Sequence, residues 1–215
     1  MRQKSKRFVA KIMVLTAVTR PRGGSFNGVL GSWRVVKPFI YKRKTTYQGK
    51  TYLAGEHQLA DCEMDGDLFA TMLKEKVFPA IRTKMSSAKN VGLQMDNAGG
   101  HGMKTIANKI ADALPARVHR GKQQGPNIIL TDQPAQSPDT NVCDLGLFRS
   151  VDSQIPNKRS YQLDEFEEMV VAAHRNYPDK LVTALFETKA AVCAKILAAD
   201  GDNMYDLYHR RGSQV

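Results

Sequence analysis

Val91-Gly92-Leu93-Gln94-Met95-Asp96-Asn97-Ala98-Gly99-Gly100-His101 decides how the rest of the chain is read. Residues 91–96 predict a short strand, and Asp-Asn followed by a glycine pair stops it. Asp96 therefore stands at a strand end. Upstream, residues 65–84 (DGDLFATMLKEKVFPAIRTK) set Leu68, Phe69, Met72, Leu73 and Val77 at helical spacing. Asp65 or Asp67 serves as N-cap, and Pro79 bends or ends that helix. Further upstream, Phe8–Thr19 is rich in β-branched residues and reads as a strand, hairpin-linked through Gly23–Gly28 to a second strand at Val29–Phe39. Residues 40–60 read as a basic, tyrosine-bearing connection, and Trp33 and Met72 as core. Downstream come a helix at Met103–Leu114, a brief strand at Asn127–Leu130 and a proline-marked extended segment, DQPAQSPDTN, leading into an apolar turn. Two amphipathic helices follow at 163–175 and 178–199, divided by Asn176-Tyr177-Pro178 and ended by Asp200-Gly201. The order is α/β without the regular alternation of a doubly wound sheet.

With 215 residues, 42% of them hydrophobic, the chain is long enough for a real core. Cys62, Cys143 and Cys193 are odd in number and lack metal-ligand spacing, so they read as reduced thiols of an intracellular protein. The net charge is +11, and its distribution says more than its size. Residues 1–50 hold 13 Lys and Arg and no carboxylate; the first acidic residue is Glu56. Such a one-signed block predicts an anionic partner, DNA before others, although a solvated face would look similar. Arg20, Arg22, Lys42, Arg43, Lys44 and Lys50 are the candidate contacts, with Tyr41, Tyr47 and Tyr52 able to stack on bases. Arg2–Arg7 reads as a nuclear-import cluster. No stretch is apolar enough for a bilayer, and Lys11 together with Thr19-Arg20-Pro21-Arg22 argues against a secretory signal.

Asp96 at a strand end and Asp144 at a helix start are the residues that could carry chemistry. Phosphoryl-transfer enzymes grip Mg²⁺ with rigid carboxylates, because a hard cation takes oxygen ligands and keeps several waters. Spacing alone leaves the plain reading open, since Asp-Asn-x-Gly-Gly is good turn chemistry and Asp139 or Asp144 can cap a helix.

Leu93–His101 resembles the Q-x-D-N-A-x-x-H block of mariner-like transposases, which contains their second catalytic Asp. Gln133-Pro134-Ala135-Gln136-Ser137-Pro138-Asp139-Thr140-Asn141-Val142-Cys143-Asp144-Leu145-Gly146-Leu147-Phe148 is similar to their P-x-x-S-P-D-x-N-x-x-D-x-x-x-F block. Lys11–Arg22 resembles the strand after the first catalytic Asp, and Leu181–Tyr208 the tail, both in the plant-type branch. The likeness implies an RNase H-like mixed sheet flanked by helices, with a catalytic domain at 1–155 and a C-terminal helical extension at 156–215. It also implies Asp96 and Asp144 as catalytic and metal-binding, with Mg²⁺ or Mn²⁺ as the ion, and Asn97, His101 and Asp139 as their supporting shell.

The resemblance also marks absences. Only seven residues precede Phe8 and none is acidic, so the family's first catalytic Asp, in a D-E-K-W-F-like block, has no counterpart. Its strand is central, and without it residues 8–19 are expected either to pair directly with 91–96 or to leave a gap. Unpaired edges there predict self-association. No helix-turn-helix reader is present, and the 47 residues between Asp96 and Asp144 exceed the family's usual interval, with Lys122–Pro126 the place for an extra loop. The expected function is a transposase-derived nucleic-acid-binding protein of low sequence specificity. It would be a remnant of a metal-dependent DNA cleavage and strand-transfer enzyme, inactive alone and without a small-molecule substrate. The alternative is a working transposase fragment completed by an upstream segment or a partner chain.

Overall fold

The computed structural model describes residues 12–23, 26–47, 50–96, 103–120, 122–155 and 163–202. It is a mixed α/β structure of small sheets and a long C-terminal helix. Strand β1 (Val14–Val18) pairs antiparallel with β2 (Val29–Arg34). The turn between them closes at Gly28, whose φ is +89° and where a β-carbon would lie 2.4 Å from the Thr19 carbonyl oxygen. Only glycine fits that corner. Asn27 beside it donates its side-chain amide to the carbonyls of Arg175 and Tyr177, both at 2.8 Å, and so ties the turn to the C-terminal helices.

The single strand expected over 29–39 is two. Val35, fully buried, donates to the Met13 carbonyl on one side and accepts from the Cys62 amide on the other. The chain thereby leaves the β1 sheet and enters a second one. There β3 (Val36–Ile40) pairs antiparallel with β6 (His57–Asp61). Arg34 braces the switch with two 2.6 Å bonds to the Asp61 carboxylate. The expected connection at 40–60 is thus structured, and it also carries a small hairpin of β4 (Thr45–Tyr47) and β5 (Lys50–Tyr52).

Helix α1 (Gly66–Met72) starts at Asp65, whose carboxylate accepts from the Leu68 amide. It continues into a π turn at Leu73–Val77 and then α2 (Phe78–Lys84). Proline at 79 has no N–H and its ring crowds the carbonyl four residues back, so the helix widens there instead of stopping. Strand β7 (Asn90–Met95) follows, then α3 (Met103–Ile110), a hairpin of β8 (Arg117–His119) and β9 (Lys122–Gln124), and β10 (Asn127–Asp132). Strands β7 and β10 are parallel, Val91 facing Ile128. The place expected for an extra loop holds that hairpin.

A short 3₁₀ turn (Pro138–Thr140) leads into a helical run from Val142, kinked at Gly146, where the sequence reads as an apolar turn, and then into α4 (Phe148–Gln154). Helices α5 (Leu163–Arg175) and α6 (Asp179–Ala198) sit where periodicity predicts them. The main core gathers Phe69, Leu73, Phe78, Ile81, Ile106, Ile110 and Ile128, with Trp33 half-buried against it. Met72 is buried as well. A second core joins Val29 to Leu147, Val151, Tyr177 and Val182, so α4 and α6 pack on residues of the sheet region. Among the described residues no helix is long and apolar enough to cross a membrane.

Candidate functional site

Two strand pairs, β2-β1 and β7-β10, flank a gap. Among the described residues β1 pairs with β2 alone and β7 with β10 alone. Between them lies a cavity of about 430 Å³ lined by Met13–Thr19 on one side and Val91–Asp96 on the other. Of the two outcomes expected for this place, direct pairing or a gap, the structure takes the gap.

Asp96 follows the carboxyl end of β7, and the chain leaving the carboxyl end of parallel β10 delivers Asp144. Ligand sites in α/β sheets collect at that end of the strands. A network of amides fixes the corner. The Gln133 amide N–H donates to the Met95 carbonyl at 2.8 Å. Gln94 donates to the Thr140 carbonyl at 3.0 Å and accepts from the Lys189 ammonium of α6. Asn141 donates to both Gln133 Oε1, at 3.0 Å, and Asp144 Oδ2, at 2.9 Å, while its own oxygen accepts from the Cys143 amide.

The negative charge of Asp96 is felt at Asp144. Partial burial raises the pKa of Asp144 above the usual carboxylate value, the negative charge of Asp96 adds to the rise, and the Asn141 amide opposes it. The Cys143 thiol is pushed up to about 12, first by burial and then by Asp144 and Asp96, against the pull of Lys189. A thiol so held is inert as a nucleophile. The three cysteines are unpaired, as expected.

Two carboxylates offer hard oxygen ligands suited to one hydrated Mg²⁺ or Mn²⁺. They do not suit two ions. Among the described residues no group of three or more His, Cys, Asp or Glu side chains could hold a metal, and one Asp144 oxygen already accepts from Asn141.

Asp139 lies in the 3₁₀ turn just before Asn141, half-buried. Asn97 and His101 lie outside the described residues. The basic candidates occupy two separate turns. Arg20 and Arg22 are exposed in the β1–β2 turn, where Arg20 pairs with Glu187 at 3.5 Å. Lys42, Arg43 and Lys44 are exposed between β3 and β4, and Lys50 opens β5. Two of the three tyrosines are already engaged with each other. Tyr41 and Tyr52 stack on each other at 4.5 Å, both hydroxyls meet Gln58, and Tyr52 is buried.

Sequence reading named the carboxylates and missed the polar groups around them. Gln94 and Asn141 lie inside the two quoted blocks, so their positions were visible without their roles. Lys189 gave no signal: it is one cation of an amphipathic helix, 95 residues from the glutamine it reaches. No protein-family model matches this chain, and no curated protein sequence matches it.

Proposed function

We propose that this chain is a transposase-derived nucleic-acid-binding protein. In this reading it keeps two of the three carboxylates of an RNase H-like, metal-dependent DNA cleavage and strand-transfer site. The observation that carries the reading is the acidic corner: the two blocks resembling mariner-like transposases meet there, through Gln94, Thr140 and Asn141, around Asp96 and Asp144. The flanking pairs β2-β1 and β7-β10 suit an RNase H-like sheet without its central strand. The exposed cations at Arg22 and Lys42–Lys44 support electrostatic DNA binding with low sequence preference.

Two carboxylates leave a two-ion site one acidic ligand short of the three that the resemblance implies, so in this reading the chain by itself binds DNA and does not cut it. Incubating the pure protein with supercoiled plasmid and Mn²⁺ tests that. The plasmid is expected to stay supercoiled. Nicking abolished by both Asp96→Ala and Asp144→Ala would overturn this reading and make the chain a nuclease as it stands.

A further inference from the structure

The cavity between β1 and β7 has a geometry of its own, independent of any role for the acidic corner. The Met13 carbonyl accepts from Val35 and the Thr19 amide donates to Gly28, so the odd-numbered residues of β1 turn their main-chain groups toward β2. The register slip opposite Ala17 and Val18 adds its extra residue, Leu30, on β2, which leaves this parity intact. The N–H and C=O groups of Val14, Thr16 and Val18 therefore point the other way. On β7 the carbonyls of Lys89 and Met95 accept from Asn127 and Gln133 across the parallel ladder. That assigns the odd residues to β10 and turns the main-chain groups of Gly92 and Gln94 outward. Both outward edges border the same cavity.

We propose that this slot binds an extended, uncharged peptide strand of a separate polypeptide, which pairs with β1 along one edge and β7 along the other. Only a peptide offers donors and acceptors at strand spacing on both its edges. Side chains on either face of such a strand would meet Leu73, Val77 and Ile81 from the α1–α2 side, and Val142 and Phe186 from the side of the C-terminal helices. Charge complementarity sets the rest. The ionic lining groups among the described residues are Asp96 and Lys189, of opposite sign, and the walls Val14–Val18 and Asn90–Met95 carry no charge at all. A charged strand would be buried there without a partner.

A second copy of this chain fits less well. Its longer uncharged strand stretches, in β1, β2, β7 and β10, are the slot's walls or the partners of walls, and lending one dismantles the lender. Residues 1–11 carry five cations and do not match a neutral slot.

The test uses the full chain and a fluorescein-labelled peptide, Lys-Lys-Thr-Val-Ile-Val-Thr-Val-Lys-Lys, with two controls that carry Pro or Asp at the central Val. Saturable binding is expected, weaker by about tenfold or more for both controls, since Pro removes a ladder donor and Asp buries a charge. Amide hydrogen exchange read by NMR is expected to slow at Val14, Thr16, Val18, Gly92 and Gln94 when the parent peptide is bound. Equal binding of the Pro control would overturn strand pairing and leave a mere apolar cavity. No binding, or protection confined to other residues, would overturn the site. A dimer of the protein alone that protects these same amides would overturn the choice of occupant.

Discussion

The acidic corner and the basic loop Lys42–Lys44 are the two candidate functional regions, and they are built in opposite ways. At the corner, each carboxylate ends or begins an element, and side chains from four separate segments hold the surroundings: Gln94, Gln133, Asn141 and Lys189. Burial there changes the titration of Asp144 and Cys143. The loop cations point into water from a turn between two strands. Under the proposed function, position would matter at the corner, because metal chemistry depends on where each oxygen lies. At the loop only the sum of charge would matter, because a phosphate backbone accepts cations in many arrangements.

The contrast breaks first at Asn141. Its amide supplies three hydrogen bonds at the corner, so Asn141→Ala should destabilise the fold by about 1–3 kcal/mol. Lys42→Ala in the exposed loop should stay within about 0.5 kcal/mol. Urea unfolding of both variants measures the difference, and equal effects would mean the corner is no more organised than the loop.

A smaller effect sharpens the comparison through pH. Asp144 holds its proton to higher pH in the folded chain than in the unfolded one, since burial and Asp96 disfavour its charge. The stability this provides is full below the ordinary carboxylate pKa and is lost as pH rises through the raised value. Asp144→Asn keeps an oxygen for Asn141 to donate to and removes the charge. It should gain on the parent between acid and neutral pH by less than about 1 kcal/mol, because the group is substantially exposed. Titrating the Asp144 carboxyl by NMR should also show its pKa fall in Asp96→Asn. An unmoved pKa would separate the two carboxylates.

The same contrast explains what was legible in the sequence. Helices α5 and α6 were visible because an apolar stripe repeats along each. The Asp65 cap and the strand ending at Asp96 were visible because capping and turn residues act on near neighbours. The split at Val35 was not visible, since it depends on partners at Met13 and Cys62 that lie far away in sequence. Strand β6, His57–Asp61, is short and mixed in character, with Leu59 exposed and Gln58 and Asp61 half-buried, and only its pairing with β3 makes it a strand. At the candidate site, local signals found both carboxylates, whereas the amides and the lysine around them are contacts between distant segments. Sequence offers Tyr41 and Tyr52 as rings able to stack on bases, and it carries no local signal that they stack on each other.

The most direct measurement of the account is a salt titration of DNA binding by fluorescence anisotropy, using the full chain and a mixed-sequence duplex. The account predicts that the logarithm of affinity falls linearly and steeply with the logarithm of salt concentration. In a variant with Lys42, Arg43 and Lys44 all changed to Ala, the slope should become shallower by up to about 2.7, if each cation meets a phosphate. Flat salt dependence, strong preference for one duplex sequence, or a slope that the triple substitution leaves unchanged would contradict it.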